Sequence, residues 1–177
     1  MNRLFQILVL LVGEELSSKN KKAVKLFNEG RSYYDARNNE LAELNLLQAI
    51  EKDPNFVEAE LMLAYVYTDM KNYEDALTHY KRCIDINPKF FPEIYPSAGA
   101  IELKLGKYED ALNHFETYLT FTESPLMMKG LANDGIRDCK FAIKALKNPV
   151  PFEPINMGPS INSALPEYYP SVSVDGE

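Results

Sequence analysis

Lys71-Asn72-Tyr73-Glu74-Asp75-Ala76-Leu77 recurs as Gly106-Lys107-Tyr108-Glu109-Asp110-Ala111-Leu112, so that Ala76 and Ala111 stand 35 residues apart. A weaker copy, Asn39-Glu40-Leu41-Ala42-Glu43-Leu44, puts Ala42 34 residues before Ala76, and Asp53-Pro54-Asn55 and Asn87-Pro88-Lys89 repeat at the same distance. Self-similarity at such a period marks a stacked repeat array. Within each unit, apolar and small residues recur at helical spacing between Pro and Asn turn signals, which reads as two amphipathic helices. In the second unit Val57, Leu61, Ala64 and Tyr67 mark the first helix, and Ala76, Leu77, Tyr80, Cys83 and Ile84 mark the second. One such pair cannot cover its own apolar face, whereas three stacked pairs make a continuous core.

These positions resemble the tetratricopeptide family, whose unit wants a small residue and an aromatic in the first helix, then Ala, an aromatic, Ala and a closing Pro. Unit one supplies Leu26, Gly30, Tyr33, Ala42, Leu46, Ala49 and Pro54; unit two supplies Leu63, Ala64, Tyr67, Ala76, Tyr80, Cys83 and Pro88. Unit three supplies Tyr95, Ala98, Gly99, Ala111 and Phe115, with Glu102 where Tyr is expected and Tyr118 where Ala is expected. The resemblance implies an all-α tetratricopeptide solenoid of three helix pairs, at about 23–56, 57–90 and 91–124 within a domain over 19–147. Gly30, Ala64 and Gly99 fall where paired helices cross closely. Pro96 removes a helical hydrogen bond, so a kink or a delayed helix start is expected there. A last run, Leu126 to Leu146, has no partner helix and reads as a cap over 125–147 with Leu131, Cys139, Ala142, Ile143 and Leu146 as its apolar stripe. Gly130 and Gly135 are expected to weaken it by about 1 kcal/mol each.

Residues 1–18 read as a signal peptide and leader: Arg3 precedes the apolar run Leu4 to Val12, too short to span a bilayer. The competing reading is an N-terminal helix that packs on the first unit. Residues 148–177 carry Pro149, Pro151, Pro154, Pro159, Pro166 and Pro170 without Lys or Arg, and read as an extended Pro-rich tail. Within it, Glu167-Tyr168-Tyr169-Pro170-Ser171 running into Asp175-Gly176 resembles the start of a TolB-like propeller blade. This order of parts is similar to a family of Bacteroidetes cell-envelope proteins with tetratricopeptide, propeller and OmpA-like domains, some of them in type IX secretion and gliding. The resemblance implies a fragment of an exported, periplasm-facing, outer-membrane-associated protein, cytoplasmic if the apolar run is no signal. Peptidoglycan would be reached only through the OmpA-like domain, which lies outside this sequence.

The formal net charge of −7 and the lack of a basic stripe argue against nucleic acid. Two cysteines, Cys83 and Cys139, are too few for a disulfide scaffold or a zinc site. His79 and His114 occupy the same position in consecutive units; without a third ligand they read as residues of a solvated outer face. Glu74-Asp75 and Glu109-Asp110 open predicted helices, where carboxylates complement the dipole. No phosphate loop, nucleophile elbow or zinc-protease motif is present, so no enzyme, cofactor or metal is expected. What remains is the concave face of the first helices. By family register it displays Phe27, Arg31, Tyr34 and Asp35, then Leu61, Tyr65, Thr68 and Asp69, then Glu93, Ala100, Leu103 and Lys104. Exposed aromatics beside Arg suit a protein or peptide partner. Family members that clamp a chaperone's C-terminal carboxylate use Lys and Asn, then Lys and Arg, where this sequence has Phe27 and Arg31, then Glu93 and Ser97. A groove-docking adaptor is therefore expected, with a structural spacer, self-associating or packed on its own propeller, as the alternative.

Overall fold

The computed structural model describes residues 16–149. The signal-peptide segment upstream of Leu16 and the tail and blade start from residue 150 onward lie outside the described residues. Among the described residues there are seven helices: α1 (Lys21–Asp35), α2 (Asn39–Lys52), α3 (Val57–Asp69), α4 (Tyr73–Ile86), α5 (Ile94–Lys104), α6 (Tyr108–Leu119) and α7 (Leu126–Lys147). The short connections make neighbours pair, α1 with α2, α3 with α4 and α5 with α6, and weaker contacts join α2 to α3 and α4 to α5. The array forms one compact unit ending at Lys144; a second unit begins at Ala145, of which only residues 145–149 are described.

The repeat register shows in the core. Ala42, Ala76 and Ala111 are fully buried, as are Leu46, Tyr80 and Phe115 four residues on to within a few per cent. Close helix crossings need the small residues: a Cβ on Gly30 would lie 2.9 Å from Leu46 Cγ, and one on Gly99 would lie 3.1 Å from the Phe115 ring. The turn inside each pair is also repeated. Arg37, Lys71 and Gly106 take φ values of 62°, 60° and 73°, in the left-handed region. Behind them Asn38, Asn72 and Lys107 donate their N–H to the carbonyls of Tyr33, Tyr67 and Glu102 at 2.9, 2.9 and 2.8 Å. This is the Schellman closure of a helix end, used three times. Between pairs, the Asn55 and Lys89 amides donate to the side chains of Asp53 and Asn87 at 3.2 and 3.1 Å, which explains the repeated Asx-Pro turns.

Pro96 is accommodated by a delayed start. Residues Phe91 to Glu93 form turns, and α5 opens at Ile94, so Pro96 falls in the first turn, where the missing N–H has no intrahelical acceptor to lose. The expected stripe of α7 needs correction. Leu131 and Leu146 are 55% and 68% exposed, and the residues that pack on Tyr95, Phe115 and Tyr118 are Met128, Ala132, Ile136 and Cys139. Gly135 belongs to that contact face, because a Cβ there would lie 2.5 Å from Phe115 Cε2, while Gly130 has nothing within 4 Å. Only Gly130 is a plain weak point. The ring of Phe115 is thus held between glycines of α5 and α7.

Candidate functional site

The first helices α1, α3 and α5 line up three sets of side chains, and they do not all behave as the register suggested. Phe27 and Leu61 are 2% and 0% exposed. Phe27 packs on Phe56 with centroids 4.9 Å apart, so both residues are core and neither is offered to a partner. Tyr34, Tyr65, Thr68, Leu103 and Glu93 are partly buried, and Asp35, Asp69, Ala100 and Lys104 are exposed. The Tyr34 hydroxyl donates a 2.8 Å hydrogen bond to Asp69 Oδ2, joining α1 to α3. Burial and then that bond raise the Tyr34 hydroxyl above its ordinary range. The Tyr65 ring meets Tyr80 edge-on at 6.0 Å, and burial, with the nearby Tyr80, Cys83, Tyr34 and Glu93, keeps its hydroxyl protonated. Thr68 spends its hydroxyl on the Ala64 carbonyl at 2.7 Å. The guanidinium of Arg31 lies 6.0 Å from the Phe27 ring centroid, and Lys104 Nζ lies 4.9 Å from that of Tyr73. At the N-terminal side, Ser17 closes off Glu58 of α3: its N–H donates to Oε1 at 2.9 Å and its hydroxyl to Oε2.

The histidines do not occupy a solvated face, and each is paired within its own unit. His79 Nδ1 is 2.7 Å from Oε2 of the buried Glu60, and its ring stacks on Tyr67 at 5.4 Å. His114 Nδ1 is 2.5 Å from Oε2 of Glu102, whose side chain is fully buried, and Tyr95 meets the His114 ring edge-on at 6.0 Å. Lys81 of the preceding unit adds an ammonium 3.0 Å from Glu102 Oε1. Burial alone would raise the Glu102 carboxyl, yet the hydrogen bond from His114 and the Lys81 ammonium outweigh it and hold the group below its ordinary range. Sequence reading missed Glu60 and Glu102 as buried carboxylates. The departure noticed at position 102 was the available signal, since an acid at a core position one turn from a His-bearing helix needs a partner.

Cys83 and Cys139 are free thiols, fully buried, and burial pushes both above the ordinary thiol range. Among the described residues no group of three or more His, Cys, Asp or Glu is placed to hold a metal, and no helix is long and apolar enough to cross a membrane.

Residues 57–90 match the tetratricopeptide repeat family model. The chain is 28% identical over 88 residues to an uncharacterised protein of Haemophilus influenzae, covering 50% of this chain and 49% of that one. It is 27% identical over 135 residues to the STIP1 homolog of Dictyostelium discoideum, covering 76% of this chain and 23% of that one. The chain thus spans half or less of the length of these relatives. Among solved structures, the first TPR of Spaghetti (RPAP3), bound to the HSP90 peptide SRMEEVD, superposes with a TM-score of 0.59 at 20% identity, covering 72% of this chain and 99% of that domain. That likeness speaks to fold alone. The described array thus has the fold of a tetratricopeptide-like solenoid of stacked helix pairs, and its second unit matches the tetratricopeptide repeat itself.

Proposed function

We propose that this domain is a non-catalytic adaptor that docks an extended segment of a partner protein along its concave face. The observation that carries the reading is that Tyr34, Tyr65 and Glu93, on or at the head of the first helices of the three pairs, are each partly exposed. The groups that chemistry would need are spent elsewhere: both imidazoles are tied to buried carboxylates and both thiols are enclosed. The peptide carried by the RPAP3 domain lends the groove reading support by analogy of fold. Tyr34→Ala and Tyr65→Ala test it in affinity capture of a partner from the native source. An adaptor loses its partner while its helical signal stays intact; retention of the partner by both variants refutes the reading.

A spacer that self-associates is the second reading, favoured by Leu126, Met127, Leu131 and Phe141, which are 55–87% exposed along α7. It requires a concentration-dependent mass in sedimentation. The exported, periplasm-facing setting, with a place in type IX secretion or gliding, belongs to the same proposal and rests on the run Leu4 to Val12 and the tail residues alone. A reporter enzyme active only outside the cytoplasm, fused after the full chain, decides it: an inactive fusion excludes export.

A further inference from the structure

Two departures of the third unit from the repeat fall in one place, and we propose that they build a small cleft that takes a primary ammonium group on a short apolar chain. Ala49 and Cys83 hold the position that Tyr118 fills, and each stands five residues before its closing proline, Pro54 or Pro88, whereas Tyr118 stands seven before Pro125. The lengthened turn supplies Phe121, Thr122, Glu123 and Ser124, which with Pro92 and Glu93 ahead of α5 line a cleft of about 340 Å³. That is the small end of the range for ligand sites and suits one side chain or a small molecule.

Tyr118 is fully buried, and its hydroxyl completes no hydrogen bond among the described residues. Ser124 and Glu93, both on the cleft wall, lie close enough to act on it. Burial raises the hydroxyl above its ordinary range, Ser124 opposes that and Glu93 adds to it, so the group stays neutral and can accept as well as donate. A buried hydroxyl without a partner is costly, and native folds keep few of them. This one stands where a ligand in the cleft can meet it.

The charge of the cleft points to a cation. The carboxylates of Glu93 and Glu123 make no hydrogen bond or ion pair among the described residues. Lys129 reaches the same turn from α7, but its Nζ donates to the Thr122 carbonyl at 2.9 Å and pairs with no carboxylate there. Two acids thus face one ammonium. The aromatic wall is braced: Phe121 packs on Tyr95 with ring centroids 5.4 Å apart, and the Tyr95 hydroxyl donates to the Pro88 carbonyl at 3.1 Å.

A metal ion fits poorly, because no group of three or more His, Cys, Asp or Glu is placed to hold one among the described residues. An alkylammonium uses every part of the cleft. Its N–H donors suit the two carboxylates and the Tyr118 or Ser124 oxygen, and its methylenes suit Pro92 and the Phe121 ring. A lysine side chain of a partner and a free alkylamine share this chemistry. Glu93 is common to the cleft and to the groove reading, yet the inference stands without that reading, since a small amine needs no groove.

NMR titration of the isotope-labelled full chain tests it, with butylammonium chloride, blocked lysine (Nα-acetyl-lysine amide) and the neutral isostere butanol as probes. Both amines are expected to shift the amide resonances of Glu93 and of Phe121 to Ser124 saturably, more weakly as salt rises from about 50 to about 300 mM, and butanol to leave them unmoved. Glu93→Gln and Glu123→Gln should each weaken the amines about threefold, and Tyr118→Phe about twofold without lowering the thermal transition, since the lost hydroxyl had no protein partner. Tighter binding of blocked lysine assigns the cleft to a partner's side chain, and equal or tighter binding of butylammonium assigns it to a free amine. Equal shifts with butanol, no saturable shift with either amine, or unchanged amine affinity in all three variants overturns the inference and leaves the groove reading standing.

Discussion

The carboxylate of Glu102 on α5 is enclosed against Nδ1 of His114 on α6 at 2.5 Å, and Tyr95, two turns earlier on α5, meets the same imidazole edge-on. In the second unit the arrangement is exchanged: His79 is bonded to Glu60 and stacked on Tyr67. Glu60 corresponds to Tyr95 and Tyr67 to Glu102 under the 35-residue shift between units. Each His-bearing helix is thus read by one acid and one aromatic two turns apart, in either order. Glu102, which looked like a defect in the repeat, is half of this exchange.

The exchange predicts a rescue. Glu102→Tyr alone leaves His114 and Lys81 without their carboxylate and should cost about 3 kcal/mol, the usual range for breaking a buried pair. Adding Tyr95→Glu restores one acid and one aromatic and should recover more than half of that loss. Urea denaturation of both variants measures it, and a double variant no more stable than Glu102→Tyr contradicts the exchange.

Acid should erase the contribution of Glu102. Its pKa is depressed in the folded protein, by the His114 hydrogen bond and the Lys81 charge acting against burial. The stability it supplies is therefore complete above the ordinary glutamate value of about 4.3 and is lost as pH falls through the lower folded value. The stability gap between the native chain and Glu102→Gln is expected to be widest near neutrality and to close below about pH 4. A gap as wide at pH 3 as at pH 6 would argue against an ionised, paired carboxylate.

The two glycines of α7 should respond with opposite sign. Gly130→Ala meets open space and gains about 0.5–1 kcal/mol of helix propensity. Gly135→Ala drives a methyl into the Phe115 ring and should lose about 1–3 kcal/mol by overpacking. Chemical denaturation that shows both variants stabilised would mean that α7 does not seat on Phe115.

Lys71 sits at φ 60° where the third unit uses Gly106 at φ 73°. A non-glycine residue there costs about 1–2 kcal/mol, partly offset by the unfolded-state entropy that glycine adds. Lys71→Gly is expected to raise the midpoint by up to about 1 kcal/mol of stability, and a decrease would show that the Lys71 side chain contributes more than its backbone loses.

Much of this fold could be read from the chain. The Ala42, Ala76 and Ala111 register, the Asx-Pro turns and the small crossing residues Gly30 and Gly99 are local patterns that packing simply uses. The site was less legible. Family register puts Phe27 and Leu61 on a concave face, but whether a face residue is open depends on what packs over it, and Phe56 covers Phe27. Periodicity likewise treated Leu131 and Gly135 by residue type, whereas Phe115 decides which side of α7 is inward. The ion pairs of Glu60 and Glu102 join residues 19 and 12 positions apart, so no window along one helix contains them.

The central claim, that a partner lies in the concave groove, is tested most directly by photocrosslinking. A benzophenone amino acid replaces Tyr65 in the groove or, separately, Leu44, an exposed residue of α2 outside it. In the purified complex with its captured partner, the account predicts a partner adduct from position 65 that is abolished by Tyr34→Ala, and none from position 44. Adducts from position 44 alone would contradict it.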